Sequence, residues 1–272
     1  MSTVLASHIL LKGKHFPSSI SPASLLVLGV KSDNRLALFR KEKTNLSLNS
    51  RSRQSTLIPL NERMSASAIR DVALMGDQSP VLLFDVMGTI VRDPFYQDIP
   101  AFFGISMKEL LQIKHPSAWI EFEKGLISEE ELIANFFQDQ RSFDADGLKT
   151  CMANGYEYLE GVESLLDRLK TKGYQMHAFT NYPSWYKLIE DKLVLSKYLT
   201  WTFVSCHTGK RKPDPEAFVD AAKHLGRSPS DIIFIDDQLA NVEAAIQIGM
   251  TGLTFKGSEK LENDLRTLGL NL

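Results

Sequence analysis

An α/β fold with a parallel sheet, helices on both of its faces and a small helical insertion is what this 272-residue sequence predicts, on three observations. Short apolar runs, beginning with Val81-Leu82-Leu83-Phe84, alternate with segments of helical period as far as the C-terminus. Such runs read as strands buried on both faces, as in parallel sheets covered by helices. Several of them break off in polar residues, at Asp85, at Thr180-Asn181 and at Asp236-Asp237. The third observation is a stretch of helix-spaced apolar residues from about 99 to 154, which separates the first strand from the second.

Composition narrows the function classes. A hydrophobic content of 43% suffices for a full core, and a formal net charge of -2 gives no bulk attraction to nucleic acid or anionic lipid. No apolar run approaches the ~20 residues of a membrane span. Cys151 and Cys206 make no disulfide framework and predict free or buried thiols in an intracellular chain. From Met1 to Met64 the chain is Ser-rich and basic, with Asp33, Glu42 and Glu62 as its acids, and it shows no periodic pattern. That composition predicts an organelle transit peptide over 1–64 ahead of a folded domain over 65–272. A disordered tail and a basic arm for nucleic acid are the alternatives.

Taken in order, Val81 to Phe84 is the first strand and delivers Asp85 into the turn Asp85-Val86-Met87-Gly88-Thr89. Arg92-Asp93-Pro94-Phe95-Tyr96 leads away from the sheet. Within the insertion, Trp119, Phe122 and Leu126 fit spacings of three and four, as do Leu132, Ile133, Phe136 and Phe137. Ser128 followed by Glu131 predicts a capping box. Phe102, Phe103, Trp119, Phe122, Phe136 and Phe137 read as the core of this helical cap rather than as a substrate platform. A helix over 161–170 follows, stopped by Gly173. Strands over 176–179, 201–205, 232–235 and 251–255 then alternate with helices over 185–193, 215–225 and 241–248, and a last helix ends the chain. The whole is Rossmann-like, and its polar residues fall where open α/β sheets bind ligands.

Taken singly, each motif has an ordinary explanation. Asp85 can cap a turn, Thr180-Asn181 can be turn residues, Lys212 can be a solvated lysine before Pro213, and Asp236-Asp237 can cap the next helix. Taken together and in order, the turn at Asp85, Phe179-Thr180-Asn181, Lys212-Pro213-Asp214-Pro215 and Ile235-Asp236-Asp237 resemble the haloacid dehalogenase superfamily of aspartate-nucleophile phosphotransferases. The resemblance runs from about Pro80 to the C-terminus. It implies that Asp85 attacks phosphorus and forms an aspartyl-phosphate. It also implies Mg²⁺ held by Asp85, Asp236, the backbone carbonyl of Met87 and Asp237, directly or through waters. Lys212 would neutralise the transferring phosphoryl group, while Thr180, Asn181 and nearby N–H groups would hold its oxygens.

One position departs from the pattern. The family's phosphatases carry a second aspartate two residues after the nucleophile, where this chain has Met87. That aspartate would protonate the leaving alcohol and then activate water. Three readings follow: a phosphatase with a substitute acid, such as Asp93 or a metal-bound water; a dehalogenase-type hydrolase; or a phosphate-binding relative without turnover. The retained Asp236-Asp237 pair favours phosphate chemistry, since family dehalogenases need no metal. A phosphonate-cleaving role would need Lys114 or Lys124 as a Schiff base, and nothing supports it. Phe84 to Tyr96, Trp119 to Gly125 and Phe179 to Pro183 look narrower still, like the plastid flavin mononucleotide hydrolases of plants. This likeness implies a phosphatase of flavin mononucleotide in the plastid stroma, carried there by the import machinery.

Overall fold

The computed structural model describes residues 79–272, so the expected transit segment lies outside the described residues. Five strands, β1 (Val81–Phe84), β2 (Met176–Thr180), β3 (Thr200–Val204), β4 (Ile232–Asp236) and β5 (Thr251–Thr254), form one sheet in the order β3-β2-β1-β4-β5. Every pairing is parallel. Leu82 is in register with Met176 on one side and Ile233 on the other. β1, with neighbours on both sides, is therefore the central strand, and all four of its residues are buried. The chain winds outward from β1 first through β2 and β3, then through β4 and β5, which makes the β1/β4 boundary the switch point where such sheets form a ligand crevice.

The alternation of strand side chains builds a core on each face. Leu82, Phe84, Met176, Ala178, Ile233 and Ile235 join the larger cluster with α6 (Val162–Thr171) and α11 (Ser258–Thr267). Val81, Leu83, Phe179, Phe203, Ile232 and Phe234 face the other way, onto α9 (Pro215–Leu225) and α10 (Leu239–Gln247). Ala217, Ala221 and Ala222 of α9 and Ala244 and Ala245 of α10 are small enough to bring those helices close to the sheet. In the chain, α7 (Tyr186–Leu193) and the single turn α8 (Ser205–Thr208) lie between α6 and α9.

Between β1 and α6 the chain forms five short helices: α1 (Asp98–Phe103), α2 (Met107–Ile113), α3 (Ala118–Glu123), α4 (Glu129–Ala134) and α5 (Ala145–Gly155). The capping box at Ser128 is formed in both directions. Phe103, Phe136, Phe137 and Phe143 pack ring against ring, with centroids 5.0 to 5.7 Å apart. Trp119 and Phe122 instead meet Trp185 of the main domain at 5.9 and 5.5 Å.

Two helical faces expected from spacing end early. Leu126 lies beyond α3 and is 64% exposed, because Gly125 adopts φ 67° and turns the chain away. Phe136 and Phe137 lie beyond α4, Phe136 in a bend and Phe137 in an isolated bridge to Lys114, yet both are buried. Their spacing reported burial and not helix. The other differences are at element ends: α10 begins at Leu239 and not Asn241, and β3 closes at Val204 because Ser205 opens α8.

Candidate active site

The site is built around one buried cation. Lys212 is 1% exposed, and its Nζ donates to Asp85 Oδ1 at 2.7 Å, to Asp236 Oδ2 at 2.7 Å and to the Phe179 carbonyl at 2.6 Å. The rings of Phe179 and Phe234 lie 5.3 and 5.2 Å from the ammonium. All three protons are used, so the lysine is fixed in direction as well as in place. The ends of β1, β2 and β4 thus converge on a side chain that comes from the loop after α8.

Asn181 explains how that loop is held. Its Nδ2 donates to the Lys212 carbonyl and its Oδ1 accepts from the Lys212 N–H, both at 2.8 Å. The side-chain amide is thereby committed to backbone, and Asn181 shapes the lysine loop where the sequence suggested a phosphate contact. Thr180 is different: it is buried, and its hydroxyl has no hydrogen-bond partner. An unpaired buried hydroxyl costs about 1–3 kcal/mol. A bound oxyanion would remove that cost.

The carboxylates are braced by residues that the sequence reading did not single out. Asp236 is fully buried and accepts from Asn241 Nδ2 at 3.1 and 3.0 Å and from the Gln238 N–H at 2.8 Å. Thr89 Oγ1 accepts from the Asp237 N–H at 3.0 Å, tying the β1 turn to the end of β4. Asn241 had a readable signal, since it stands in the first turn of the helix after Asp236. Gly88 has φ 82°, and a Cβ there would lie 2.9 Å from Asp237 Oδ2, so any other residue is strained here and displaces Asp237.

Within that turn, Gly88 N–H donates to the Val91 carbonyl at 2.8 Å, and the N–H groups of Ile90 and Val91 both return to Val86 O. Met87 packs its side chain against the larger apolar cluster. A thioether there supplies no proton.

One oxygen from each of Asp85, Asp236 and Asp237 lies within 4.8 Å of the others. One ammonium among three carboxylates leaves the site short of positive charge. Burial, reinforced by Asp236 and Asp237, outweighs Lys212 and pushes the Asp85 carboxyl up to about 8. Burial and Asp236 likewise raise Asp237 to about 6. Burial alone would lower the Lys212 ammonium, but Asp236 and Asp85 together hold it above its ordinary value. Hard oxygen donors, close together and under-neutralised, fit a divalent cation.

Comparison with known proteins agrees with this geometry. Residues 80–249 match the family model for haloacid dehalogenase-like hydrolases. The chain is 62% identical over 193 residues to the chloroplast flavin mononucleotide hydrolase of Arabidopsis thaliana, covering 71% of this chain and 79% of that one. It is 29% identical to a sesquiterpene phosphatase of Aspergillus oryzae over 60% of this chain and 85% of that protein. The fold superposes with TM-score 0.60 on a Bacteroides thetaiotaomicron enzyme of the same family, 21% identical, covering 70% of this chain and 99% of that one. With the match spanning most of the described residues, the chain belongs to the haloacid dehalogenase-like hydrolase family.

Proposed function

We propose that this hydrolase cleaves phosphomonoesters through a phosphorylated Asp85 and that flavin mononucleotide is its substrate. The observation that carries the chemistry is the buried Lys212 ammonium held between Asp85 and Asp236, 2.7 Å from each. Lys212 occupies Oδ1 of Asp85, which leaves Oδ2 to attack phosphorus. The unpaired hydroxyl of Thr180 donates to a phosphoryl oxygen, and Asn181 keeps the lysine loop in register. Asp85, Asp236, Asp237 and the backbone carbonyl of Met87 would hold Mg²⁺. When bound, it would supply the counter-charge that lets a phosphate dianion approach an ionised Asp85. The substrate rests on the Arabidopsis relative, whose name specifies flavin mononucleotide.

The same relative is named as chloroplastic, which supports the reading of 1–64 as a signal for import into the plastid stroma. A fluorescent fusion that lacks those residues should stay in the cytosol, and plastid accumulation without them would overturn the assignment.

Phosphate release from flavin mononucleotide and a panel of other phosphomonoesters, with Mg²⁺ and after chelation, tests the activity. Release from the flavin ester that stops on chelation and in Asp85→Asn supports it. Binding of the flavin ester with no phosphate release would make the protein a binder instead.

A further inference from the structure

A phosphomonoesterase acting on an alkyl ester needs a proton for the departing alkoxide, and Met87 cannot provide one. We propose that Asp93 is the general acid and base of this site, protonating the leaving oxygen and then activating the water that releases phosphate. The inference rests on the phosphomonoesterase reading above.

Position comes first. Met87 pairs with Val91, so the turn after β1 doubles back on itself, and Asp93 follows two residues later at the foot of the insertion. It caps the 3-10 turn Pro94–Tyr96, where its Oδ1 accepts from the Phe95 N–H at 2.9 Å. That cap uses one carboxyl oxygen and makes no demand on the other. The charge of Asp93 acts on Tyr96, which also feels Asp237, and on Glu123, Tyr156 and Tyr182. Asp93 therefore stands between the turn that carries Met87 and the first helix of the insertion. In-line displacement by Asp85 puts the leaving oxygen on the side of phosphorus opposite Asp85. The insertion stands over these strand ends, where Trp119 packs on Tyr182 and Glu123 pairs with Arg211.

The neighbouring groups are already committed. Glu123 accepts from Trp119 Nε1 at 2.6 Å with one oxygen and from Arg211 at 2.9 Å with the other. Both oxygens of Asp98 are taken by Arg92, which also reaches Glu157. The Tyr156 and Tyr182 hydroxyls bond each other at 2.7 Å. Tyr96 is a weaker acid than an ordinary phenol, because burial raises it, as do Asp93 and Asp237. Of Asp93, Asp98 and Glu123, Asp93 is the one that keeps an uncommitted carboxyl oxygen. Burial, with Asp98, raises its carboxyl above the ordinary range against the pull of the Phe95 N–H and Arg92, which favours the protonated form a general acid needs.

The steps balance. Asp85 Oδ2 forms a bond to phosphorus as the bond to the ester oxygen breaks, and that oxygen takes the Asp93 proton to leave as the alcohol. Asp93, now a carboxylate, takes a proton from water as the water oxygen bonds phosphorus. The Asp85–phosphorus bond breaks, phosphate departs, and Asp93 is protonated again.

Asp93→Asn keeps an acceptor for the Phe95 N–H and removes only the acid; Asp93→Ser does the same with a shorter side chain. In single-turnover reactions of the full chain, both variants should release alcohol from flavin mononucleotide about 10²–10⁴-fold more slowly than wild type. The nitrophenolate burst from nitrophenyl phosphate, whose leaving group needs no proton, should stay within about threefold. Wild-type alkyl-ester cleavage should decline as pH rises and Asp93 ionises, and the variants should lack that decline. Equal slowing of both esters, or of neither, in either variant overturns the role of Asp93. Nitrophenyl phosphate turnover and its loss in Asp85→Asn report on the phosphomonoesterase reading separately.

Discussion

Thr180 separates the demands of folding from those of binding. Its hydroxyl is buried and unpaired, so Thr180→Val replaces it with a methyl of the same shape and removes a desolvation cost. The melting temperature should hold or rise, while affinity for inorganic phosphate should fall about 10- to 100-fold, the worth of a hydrogen bond to a charged group. Reduced stability with unchanged phosphate affinity, by calorimetry, would remove Thr180 from the binding site. Gly88 carries the opposite signature. Gly88→Ala forces a side chain into φ 82° and against Asp237, 2.9 Å away. It should cost about 1–2 kcal/mol from the backbone alone and weaken metal binding as Asp237 is displaced. Asp85, Asp236 and Asp237 were legible because each follows an apolar run, where polarity is conspicuous, and Lys212 because it opens the segment Lys212-Pro213-Asp214-Pro215. Thr89 and Gln238, which hold those carboxylates, were not, and Asn241 was marked only by its place in the first turn of α10, because nothing in a polar residue beside a turn distinguishes a brace from a cap. Asn181 was legible as a polar strand end, but its partner is the backbone of a residue 31 positions away.

At the scale of elements, the end of α3 is fastened to the loop that carries the lysine. Glu123 pairs with Arg211, the neighbour of Lys212, and the Ser205 hydroxyl bonds the Glu123 carbonyl while accepting from the Tyr182 N–H. Gly125 lies so near Cys206 that a Cβ would meet its carbonyl at 2.4 Å. Glu129 adds a second tie, accepting from Trp185 Nε1 and from Lys149, both at 2.7 Å. Arg211→Met leaves Glu123, with a side chain only 10% exposed, without its cation. That change should cost about 1–3 kcal/mol after allowing for the partial exposure of Arg211, and Arg211→Met with Glu123→Gln should recover most of it. Additive losses in urea titrations of the double variant would show that the pair is not coupled. None of this was readable in advance, since the partners are 82 and 88 residues apart and helical period reports which face is buried, not what covers it.

Over the whole described domain, the parallel sheet and its alternating helices were legible because doubly covered strands are largely apolar: β1 is so throughout, β4 up to Asp236, and β2 apart from His177 and Thr180. Edge strand β5, half-exposed along its length, was found from its place in the alternation. The order β3-β2-β1-β4-β5 puts Asp85, at the end of the central strand, where the two halves of the sheet meet. The direct measurement is acid quench of the full chain during turnover of flavin mononucleotide with Mg²⁺, followed by peptide mass spectrometry. A phosphoryl group on Asp85, absent in Asp85→Asn together with turnover, is the predicted result. Wild-type phosphate release by Asp85→Asn, or a phosphoryl group on a different residue, would contradict it.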